Sequence, residues 1–286
     1  MREKNNVKIE KQDPKLPWSR SYDPDFLVQD NARIIRLVWE YLEPQTKLEQ
    51  QNIDRTVVFF GSARTKTLAT AQEARDQLRQ RSTNQSELQA AEYQVLMAQY
   101  YEDAVEIAQR LAEWSKTLST PDQFVVCSGG GPGIMAAANK GRHLANSPSI
   151  GLNISLPFEQ QANPYVSPQL DFDFHYFFMR KLWFADLAEA ILVFPGGFGT
   201  CDELMEILTL VQTRKIQKKI PILVYGREYW NEIINFSAFV KWGMISESDL
   251  DLFHFVDTPD EAVDYIQQNI RMVHSVETDQ NLDGHI

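Results

Sequence analysis

Short, unbroken apolar runs recur along the chain, and each predicts a buried β-strand. Because the runs do not alternate with polar residues, they are typical of strands that are covered on both faces of a parallel sheet. The predicted strands are 56–60, 124–127, 150–156, 172–177, 191–194 and 220–225.

Helical patterns separate most of these runs. The segment 67–118 is rich in Ala, Gln, Glu, Arg and Leu without Gly or Pro, and 82–84 divides it into two predicted helices. The other predicted helices are 134–146, 181–188, 201–215, 229–241 and 259–273. Alternating strands and helices predict an α/β fold, with a doubly wound, mostly parallel sheet and helices on both faces.

The two ends of the chain differ from this pattern. Residues 1–29 are polar and contain three prolines, which favours an extended arm. Residues 31–43 have helical apolar spacing, and Pro44 is predicted to end that amphipathic helix. We therefore predict an N-terminal arm and helix over 1–50, one nucleotide-binding domain over 51–274, and a polar tail over 275–286.

Composition and charge narrow the function classes. The 286 residues are 43% hydrophobic and 23% charged, which suits a folded globular protein. A formal net charge of −11 argues against broad binding to nucleic acids or anionic membranes. No 18-residue apolar run and no secretory leader is apparent, and two cysteines do not form a disulfide scaffold. We expect a cytoplasmic protein.

Two glycine-rich turns follow predicted strands and precede predicted helices. They are SGGGPG at 128–133 and PGGFGT at 195–200. Bare backbone amides at a helix N-terminus bind anions, phosphate above all. In a doubly wound sheet both turns lie at the carboxyl edge, where ligands bind. The sequence therefore predicts one phosphate site that is built from two turns.

Two common nucleotide motifs do not match these turns. A dinucleotide fingerprint that begins at Gly129 requires glycine where Ile134 stands, and the turn follows the second predicted strand. Neither turn has the Gly-Lys-Ser/Thr ending of a Walker A loop. The missing fingerprint argues against an NAD cofactor. The five histidines show no metal-ligand spacing, so no metal site is predicted.

The residues quoted next carry a resemblance to a known family. GSAR at 61–64, SGGGPGIM at 128–135, MRK at 179–181 and PGGFGTCDE at 195–203 resemble the LOG family, whose members are often labelled lysine decarboxylases. The family's PGGxGTxxE signature is matched from Pro195 to Glu203. The resemblance extends in order over about residues 55–270.

The resemblance implies a Rossmann-like fold, a homodimer or larger homo-oligomer, and a cofactor-free reaction. In that reaction a nucleoside 5′-monophosphate, AMP or a cytokinin riboside monophosphate, is hydrolysed to the free base and ribose 5-phosphate. The family's catalytic Arg and Glu correspond to Arg180 and Glu203. Candidate phosphate and ribose contacts are Gly129, Gly130, Gly131, Gly133, Gly196, Gly197, Gly199 and Thr200. Further candidate substrate contacts are Ser62, Met179 and Lys181.

These residue types suit the implied reaction. Cleavage of an N-glycosidic bond develops positive charge on the ribose, which a fixed carboxylate such as Glu203 stabilises. A guanidinium matches phosphate oxygens and also relieves negative charge on a departing base. Arg180 suits either role, and the direction of Lys181 stays open.

Some of these residues also have an interpretation in which they stabilise the fold and do not act on a substrate. Thr200 and Glu203 have the spacing of a helix capping box. Cys201, at the start of the same predicted helix, has a position where a thiol pKa can fall. Two other functions stay open: a nucleotide- or cofactor-binding protein without catalysis, and a decarboxylase with pyridoxal phosphate on a lysine.

Overall fold

A computed structural model describes residues 24–156 and 162–282 and contains one seven-stranded parallel sheet. The order across the sheet is β4-β3-β2-β1-β5-β6-β7. The strands are β1 (Thr56–Phe60), β2 (Val125–Ser128), β3 (Ser149–Ile154), β4 (Asp171–Phe174), β5 (Ala188–Val193), β6 (Ile222–Tyr225) and β7 (His254–Val256). The predicted α/β doubly wound sheet is confirmed.

The strand order reverses at the centre of the sheet. From β1 the chain adds β2, β3 and β4 on one side, then returns to place β5 against the other side of β1. Val58 of β1 pairs with Cys127 on one side and with Ile191 on the other. A crevice forms outside the carboxyl ends of the strands at such a reversal, and ligands bind there in this class of fold.

Nine α-helices occur among the described residues. They are α1 (Arg33–Gln50), α2 (Leu68–Arg81), α3 (Gln85–Ser115), α4 (Ile134–Leu144), α5 (Phe177–Asp186), α6 (Phe198–Gln212), α7 (Arg227–Ile233), α8 (Phe236–Lys241) and α9 (Pro259–Leu282). The predicted break between α2 and α3 is confirmed, because Thr67 and Asn84 each accept a backbone hydrogen bond at a helix start.

Several predicted boundaries were wrong. Pro44 lies inside α1 and does not end it, since the helix continues through the helix-forming stretch up to Gln50. The predicted helix over 229–241 is two helices, α7 and α8, with Asn235 capping the second. Strand β7 was not predicted, and α9 continues to Leu282.

The start of α5 also differs from the prediction. Phe177 was assigned to the predicted strand 172–177, but it lies with Phe178 in the first turn of α5. Strand β4 ends at Phe174, which is paired with Ile154 at the end of β3. The Ser155 amide, just after β3, still donates a hydrogen bond to the Phe174 carbonyl at 2.8 Å, and the chain then enters α5 at Phe177.

The chain divides into two compact units, with the boundary between Glu43 and Pro44. In the first unit, a short 3-10 helix covers Pro24–Val28, where an extended arm was predicted, and a second covers Asp30–Ala32. The rest of the predicted arm lies outside the described residues. Among the described helices none has the length and apolar character needed to cross a membrane, and the cytoplasmic location stays a prediction.

The main core lies between the sheet and helices α3, α4 and α9. Phe59 stacks on Phe194 with ring centroids 6.0 Å apart, and Phe194 stacks on Tyr225 at 4.6 Å. The Tyr225 hydroxyl donates a hydrogen bond to Asp103 of α3 at 3.0 Å. These contacts fix the strand ends beneath the crevice.

Candidate functional site

The segment that follows β1 joins both glycine turns. The Ser62 amide donates a hydrogen bond to the Pro195 carbonyl at 3.1 Å, at the start of the second turn. The Ser62 carbonyl accepts one from the Ile134 amide at 3.0 Å, at the end of the first turn. The two turns therefore lie at the same edge of the sheet, as predicted from the strand pattern.

A cleft of about 1110 Å³ opens at this edge. It lies at the reversal of strand order, between the ends of β1 and β5. The predicted site residues that line it are Ser62, Gly129, Gly131, Arg180, Gly196, Gly197, Gly199, Thr200 and Glu203. Their substrate contacts stay predictions, but the structure brings these residues together.

Four other candidates do not line the cleft. Gly130 and Gly133 have positive φ angles of 72° and 69°, and Gly133 is the N-cap of α4. These two glycines therefore serve the backbone conformation of the first turn. The Met179 side chain is buried in α5, and Lys181 lies behind Glu203, paired with carboxylates of α6.

The glycines of the two turns differ in what surrounds them. A Cβ atom at Gly129 would overlap the Arg180 guanidinium and the Met135 sulfur. A Cβ atom at Gly197 or Gly199 would have no atom within 4 Å. The first turn is thus closely packed by protein, whereas the start of α6 faces open space in the cleft.

Glu203 is a largely buried carboxylate on the wall of this cleft. Its side chain is 11% exposed, and its Oε2 lies 3.3 Å from the Lys181 Nζ. Burial raises the pKa of Glu203 above its usual range, and Glu206 adds to the rise, while Lys181 and Arg180 act in the opposite direction. The neighbouring Asp202 side chain is 60% exposed.

Arg180 points toward the first glycine turn. Its Nε donates a hydrogen bond to the Leu152 carbonyl at 2.7 Å, and Nη2 lies 3.5 Å from the Gly129 carbonyl. The guanidinium also lies over the Phe184 ring, 5.0 Å from its centroid. Burial lowers the pKa of Arg180, and the charge of Glu203 partly offsets that effect. Arg180 thus lies against the first turn, and its charge acts on Glu203.

Lys181, its neighbour in sequence, has a different set of partners. The Nζ atom lies 2.8 Å from Asp202, 3.3 Å from Glu203 and 2.5 Å from Glu206. Burial alone would lower the pKa of this ammonium, but the Asp202 and Glu206 carboxylates outweigh burial and raise the pKa. The open question of where Lys181 points is therefore answered: it contacts α6.

The helix start at the second turn corrects two expectations. Helix α6 begins at Phe198 with Gly197 as its N-cap and without a side-chain cap, so Thr200 and Glu203 do not form a capping box. These residues lie one turn apart on the same helix. Burial raises the pKa of the Cys201 thiol, the reverse of the effect expected from the helix N-terminus.

Sequence patterns missed several residues of the cleft. Asn153 lines the cleft at the end of β3, and its Nδ2 donates to Asp171 at 2.6 Å. The sequence did contain one signal for this residue, because Asn153 is a polar residue near the end of a predicted buried strand. Tyr229 also lines the cleft, and its hydroxyl donates to the Gly196 carbonyl at 2.7 Å. No local pattern connects residues 33 positions apart.

A metal ion has no evident site in the described parts of the chain, where no group of three His, Cys, Asp or Glu side chains is arranged to hold one. The two free cysteines, Cys127 and Cys201, are buried and partly buried respectively. Among the described residues that line the cleft, the available groups are backbone amides, the carboxylates of Glu203, Asp202 and Asp173, and the guanidinium groups of Arg180 and Arg64.

Comparisons with known proteins agree with the sequence motifs. A profile of the family described as "Possible lysine decarboxylase" matches residues 135–266. The chain is 29% identical over 150 residues to the probable cytokinin riboside 5′-monophosphate phosphoribohydrolase LOG4 of Oryza sativa subsp. japonica, covering 52% of this chain and 64% of that protein. It is 27% identical over 148 residues to the cytokinin riboside 5′-monophosphate phosphoribohydrolase LOG3 of Arabidopsis thaliana, covering 50% and 66%.

The alignments thus cover slightly less than two thirds of these relatives, and they confirm the resemblance to the LOG family. Among solved structures, the molybdenum cofactor binding protein of the phototrophic bacterium Rippkaea orientalis is 15% identical with a TM-score of 0.45, covering 75% of this chain and 95% of that one. The structural-genomics target TM1055 is 19% identical, also with a TM-score of 0.45, covering 75% and 99%. Likenesses at this level carry no inference about function.

Proposed function

Taking the LOG-family resemblance as the premise, we propose that this protein is a nucleoside 5′-monophosphate phosphoribohydrolase. It cleaves the N-glycosidic bond of AMP or of a cytokinin riboside monophosphate and releases the free base and ribose 5-phosphate. One observation carries the proposal: a buried carboxylate, Glu203, lines the same cleft as both glycine turns.

The second turn is suited to hold the substrate phosphate. The first four amides of an α-helix have no partner within the helix, and the helix dipole favours an anion at that end. Gly197 and Gly199 contribute no side chain to the open space before α6. A phosphate can therefore approach these amides closely.

Glu203 would act on the sugar. As the bond between C1′ and the base nitrogen breaks, its electron pair goes to the base, and positive charge develops on the ribose. A carboxylate held next to C1′ stabilises that charge and orients the attacking water, and the base takes up a proton. Lys181 and Arg180 favour the ionised form of Glu203 against its burial.

Arg180 would contribute charge at the side of the first turn. Its Nε is fixed by the Leu152 carbonyl, so the guanidinium is held rather than free to rotate. A fixed cation near both a turn and Glu203 suits the relief of negative charge on the departing base or on the phosphate. Both assignments require that the side chain stay charged at neutral pH.

The lysine decarboxylase label has less support from the geometry. A decarboxylase that uses pyridoxal phosphate needs a lysine amine for a Schiff base. Among the described residues that line the cleft there is no lysine. Lys181, which follows the cleft residue Arg180 in the sequence, is paired with three carboxylates of α6.

The test is product analysis with Glu203→Gln as the matched variant. Purified protein is incubated with AMP and with N6-substituted AMP, and free base and ribose 5-phosphate are separated and quantified. We expect equal amounts of both products, and a turnover loss of about 100-fold or more in Glu203→Gln, with AMP binding retained by calorimetry. AMP that stays bound for hours without base release would support the non-catalytic nucleotide-binding alternative and reject the hydrolase.

We also propose a homodimer or larger homo-oligomer. Aromatic side chains are exposed on the two helices at the cleft, with Phe177 and Phe178 each 52% exposed and Phe198 96% exposed. Apolar surface of this kind is typical of protein contact sites. Analytical ultracentrifugation is expected to give a mass of at least two chains, and Phe198→Ser is expected to weaken the association; a monomer at high concentration would reject this proposal.

A further inference from the structure

We propose that Lys181 is a positioning residue that holds the Glu203 carboxylate against α5 and balances the charge of the acidic face of α6. This inference rests on the proposed function for the role that it gives to Glu203. It assigns Lys181 to the wall behind the cleft and not to the substrate.

The two adjacent cations of α5 have separate tasks. Successive residues on a helix point about 100° apart, so Arg180 and Lys181 face different neighbours. Arg180 is bound to the Leu152 carbonyl of β3, while the Lys181 side chain, 12% exposed, is directed to α6. Lys181 does not line the cleft, so a direct contact with the ligand is not its role.

The partners of Lys181 form an acidic face at the start of α6. Glu203 and Glu206 are three residues apart and lie on one side of the helix, and Asp202 lies next to them. Like charges at such distances repel one another and oppose burial of Glu203. Lys181 contacts all three carboxylates at 2.5 to 3.3 Å. It is placed to offset that repulsion.

The charged groups that face Glu203 come from two elements. Arg180 and Lys181 of α5 favour the carboxylate, while Glu206 of α6 disfavours it. Asp202 and Glu206 also share the Lys181 ammonium with Glu203. Removing Lys181 and removing Glu206 should therefore change the proton affinity of Glu203 in opposite directions.

The ion pair also restricts the orientation of Glu203. Lys181 lies beside one carboxylate oxygen, Oε2. A carboxylate that is held through one oxygen keeps the other for water or the sugar, and its rotation is limited by the pair. A misplaced catalytic group loses rate without an equal loss of substrate binding.

Four variants test this assignment. Lys181→Met removes the charge with little change in size, and Lys181→Arg restores a charge at the same position. Glu206→Gln removes a competing carboxylate. The matched control is Lys218→Met, because Lys218 also pairs with a carboxylate, that of Glu189 at 3.5 Å, which lies at the amino end of β5 and away from the cleft.

The first readout needs no substrate. Protein labelled with ¹³C at the glutamate carboxyl groups is titrated by NMR, and the Glu203 signal is identified by its absence in Glu203→Gln. We expect the Glu203 midpoint to rise by about one pH unit in Lys181→Met and to fall in Glu206→Gln. Lys181→Arg should lie near the unmodified protein, and Lys218→Met should equal it.

The second readout is the pH dependence of turnover. The acid limb of kcat should move to higher pH in Lys181→Met and to lower pH in Glu206→Gln, because the carboxylate form of Glu203 is the active one. Where the pH lies below both midpoints, we expect kcat of Lys181→Met to be lower by up to about tenfold, with KM changed less than about twofold. A loss confined to KM would assign Lys181 to the substrate and overturn the proposal.

The two proposals fail in different ways. A Glu203 midpoint that is the same in Lys181→Met and the unmodified protein overturns the role of Lys181, whatever the turnover. If Lys181→Met does not fold, a midpoint that does not fall in Glu206→Gln overturns it equally. If the unmodified protein releases no base while the midpoints move as expected, the hydrolase is rejected and the contact between Lys181 and Glu203 stands.

Discussion

Single residues in the cleft have roles that their local sequence does not reveal. Thr200 and Glu203 have the spacing of a capping box, yet the same spacing places two side chains one turn apart on a helix. The structure shows the second arrangement, since Gly197 is the N-cap of α6. Gly133 and Gly197 also look alike in sequence, but one has a positive φ of 69° and the other has a φ of −88°.

This difference predicts opposite effects for two alanine substitutions. At Gly133 a Cβ would overlap the backbone of Ser62 and Ala63 in a left-handed conformation, so Gly133→Ala should cost about 2 kcal/mol of unfolding free energy or more. At Gly197 the methyl group meets open space, so Gly197→Ala should change stability by less than about 0.5 kcal/mol.

AMP binding should be weakened by Gly197→Ala even though the stability of this variant is nearly unchanged. The methyl group of Gly197→Ala occupies the space that the proposed phosphate needs, and we expect AMP affinity to fall about tenfold. Urea denaturation and calorimetry measure the two effects separately. A stable Gly197→Ala protein with unchanged AMP affinity would contradict the assignment of the phosphate to the start of α6.

At the scale of elements, apolar runs and composition located most of the secondary structure. Strand β1 was predicted with its observed ends, and the break between α2 and α3 was predicted from three polar residues. The start of α5 was missed because its N-cap, Tyr176, makes no side-chain cap and its first residues are aromatic. Aromatic residues are enriched in strands, so the predicted strand extended to Phe177, whereas the observed pairing of β4 with β3 ends at Phe174.

The contact between α3 and β6 can be tested at this scale. The Tyr225 hydroxyl donates to Asp103, whose pKa is raised by burial, and Gln99 donates to the same carboxylate. Tyr225→Phe leaves one oxygen of this part-buried carboxylate without that donor, so we expect a loss of about 1 to 2 kcal/mol of unfolding free energy.

Urea denaturation of Tyr225→Phe gives the measurement, with Tyr93→Phe as the control. Tyr93 lies on the same helix but is 57% exposed, so removing its hydroxyl should leave the stability within about 0.5 kcal/mol of the unmodified protein. Equal midpoints for the two variants would show that the hydrogen bond to Asp103 contributes nothing to stability.

At the scale of the whole molecule, burying the Glu203 carboxylate in the cleft lowers the free energy of unfolding. Glu203 is buried beside two cations, and burial still raises its pKa. Because the folded pKa lies above the unfolded one, the stability that this group contributes is complete at low pH and is lost as pH rises through the folded pKa. With Glu203 ionised, the protein is therefore less stable than it would be with a neutral group at this position.

This sign predicts that the Glu203→Gln variant is more stable than the unmodified protein near pH 8. Glutamine avoids the burial of a charge, and Lys181 keeps its pairs with Asp202 and Glu206. The difference in Tm should shrink as pH falls toward 4, where the glutamate becomes neutral. Calorimetric scans at both pH values measure it, and a lower Tm for Glu203→Gln at pH 8 would contradict the expectation.

The sequence by itself determined the strands, most helices and the two glycine turns, because apolar runs, helix formers and glycine act on the chain locally. Its motifs also indicated Arg180 and Glu203, and the structure brings both to one cleft. The cap at Gly197, the end of β4 and the partners of Lys181 did not follow from local patterns.

The end of β4 and the partners of Lys181 were decided by the tertiary structure, because they depend on contacts between residues far apart in the chain. Ser62 joins turns that lie about 70 and 130 residues further along. Arg180 is directed by a carbonyl of β3, and Lys181 by three carboxylates of α6, although the two are adjacent. Only the crossover connections of the sheet bring these groups within reach of one another.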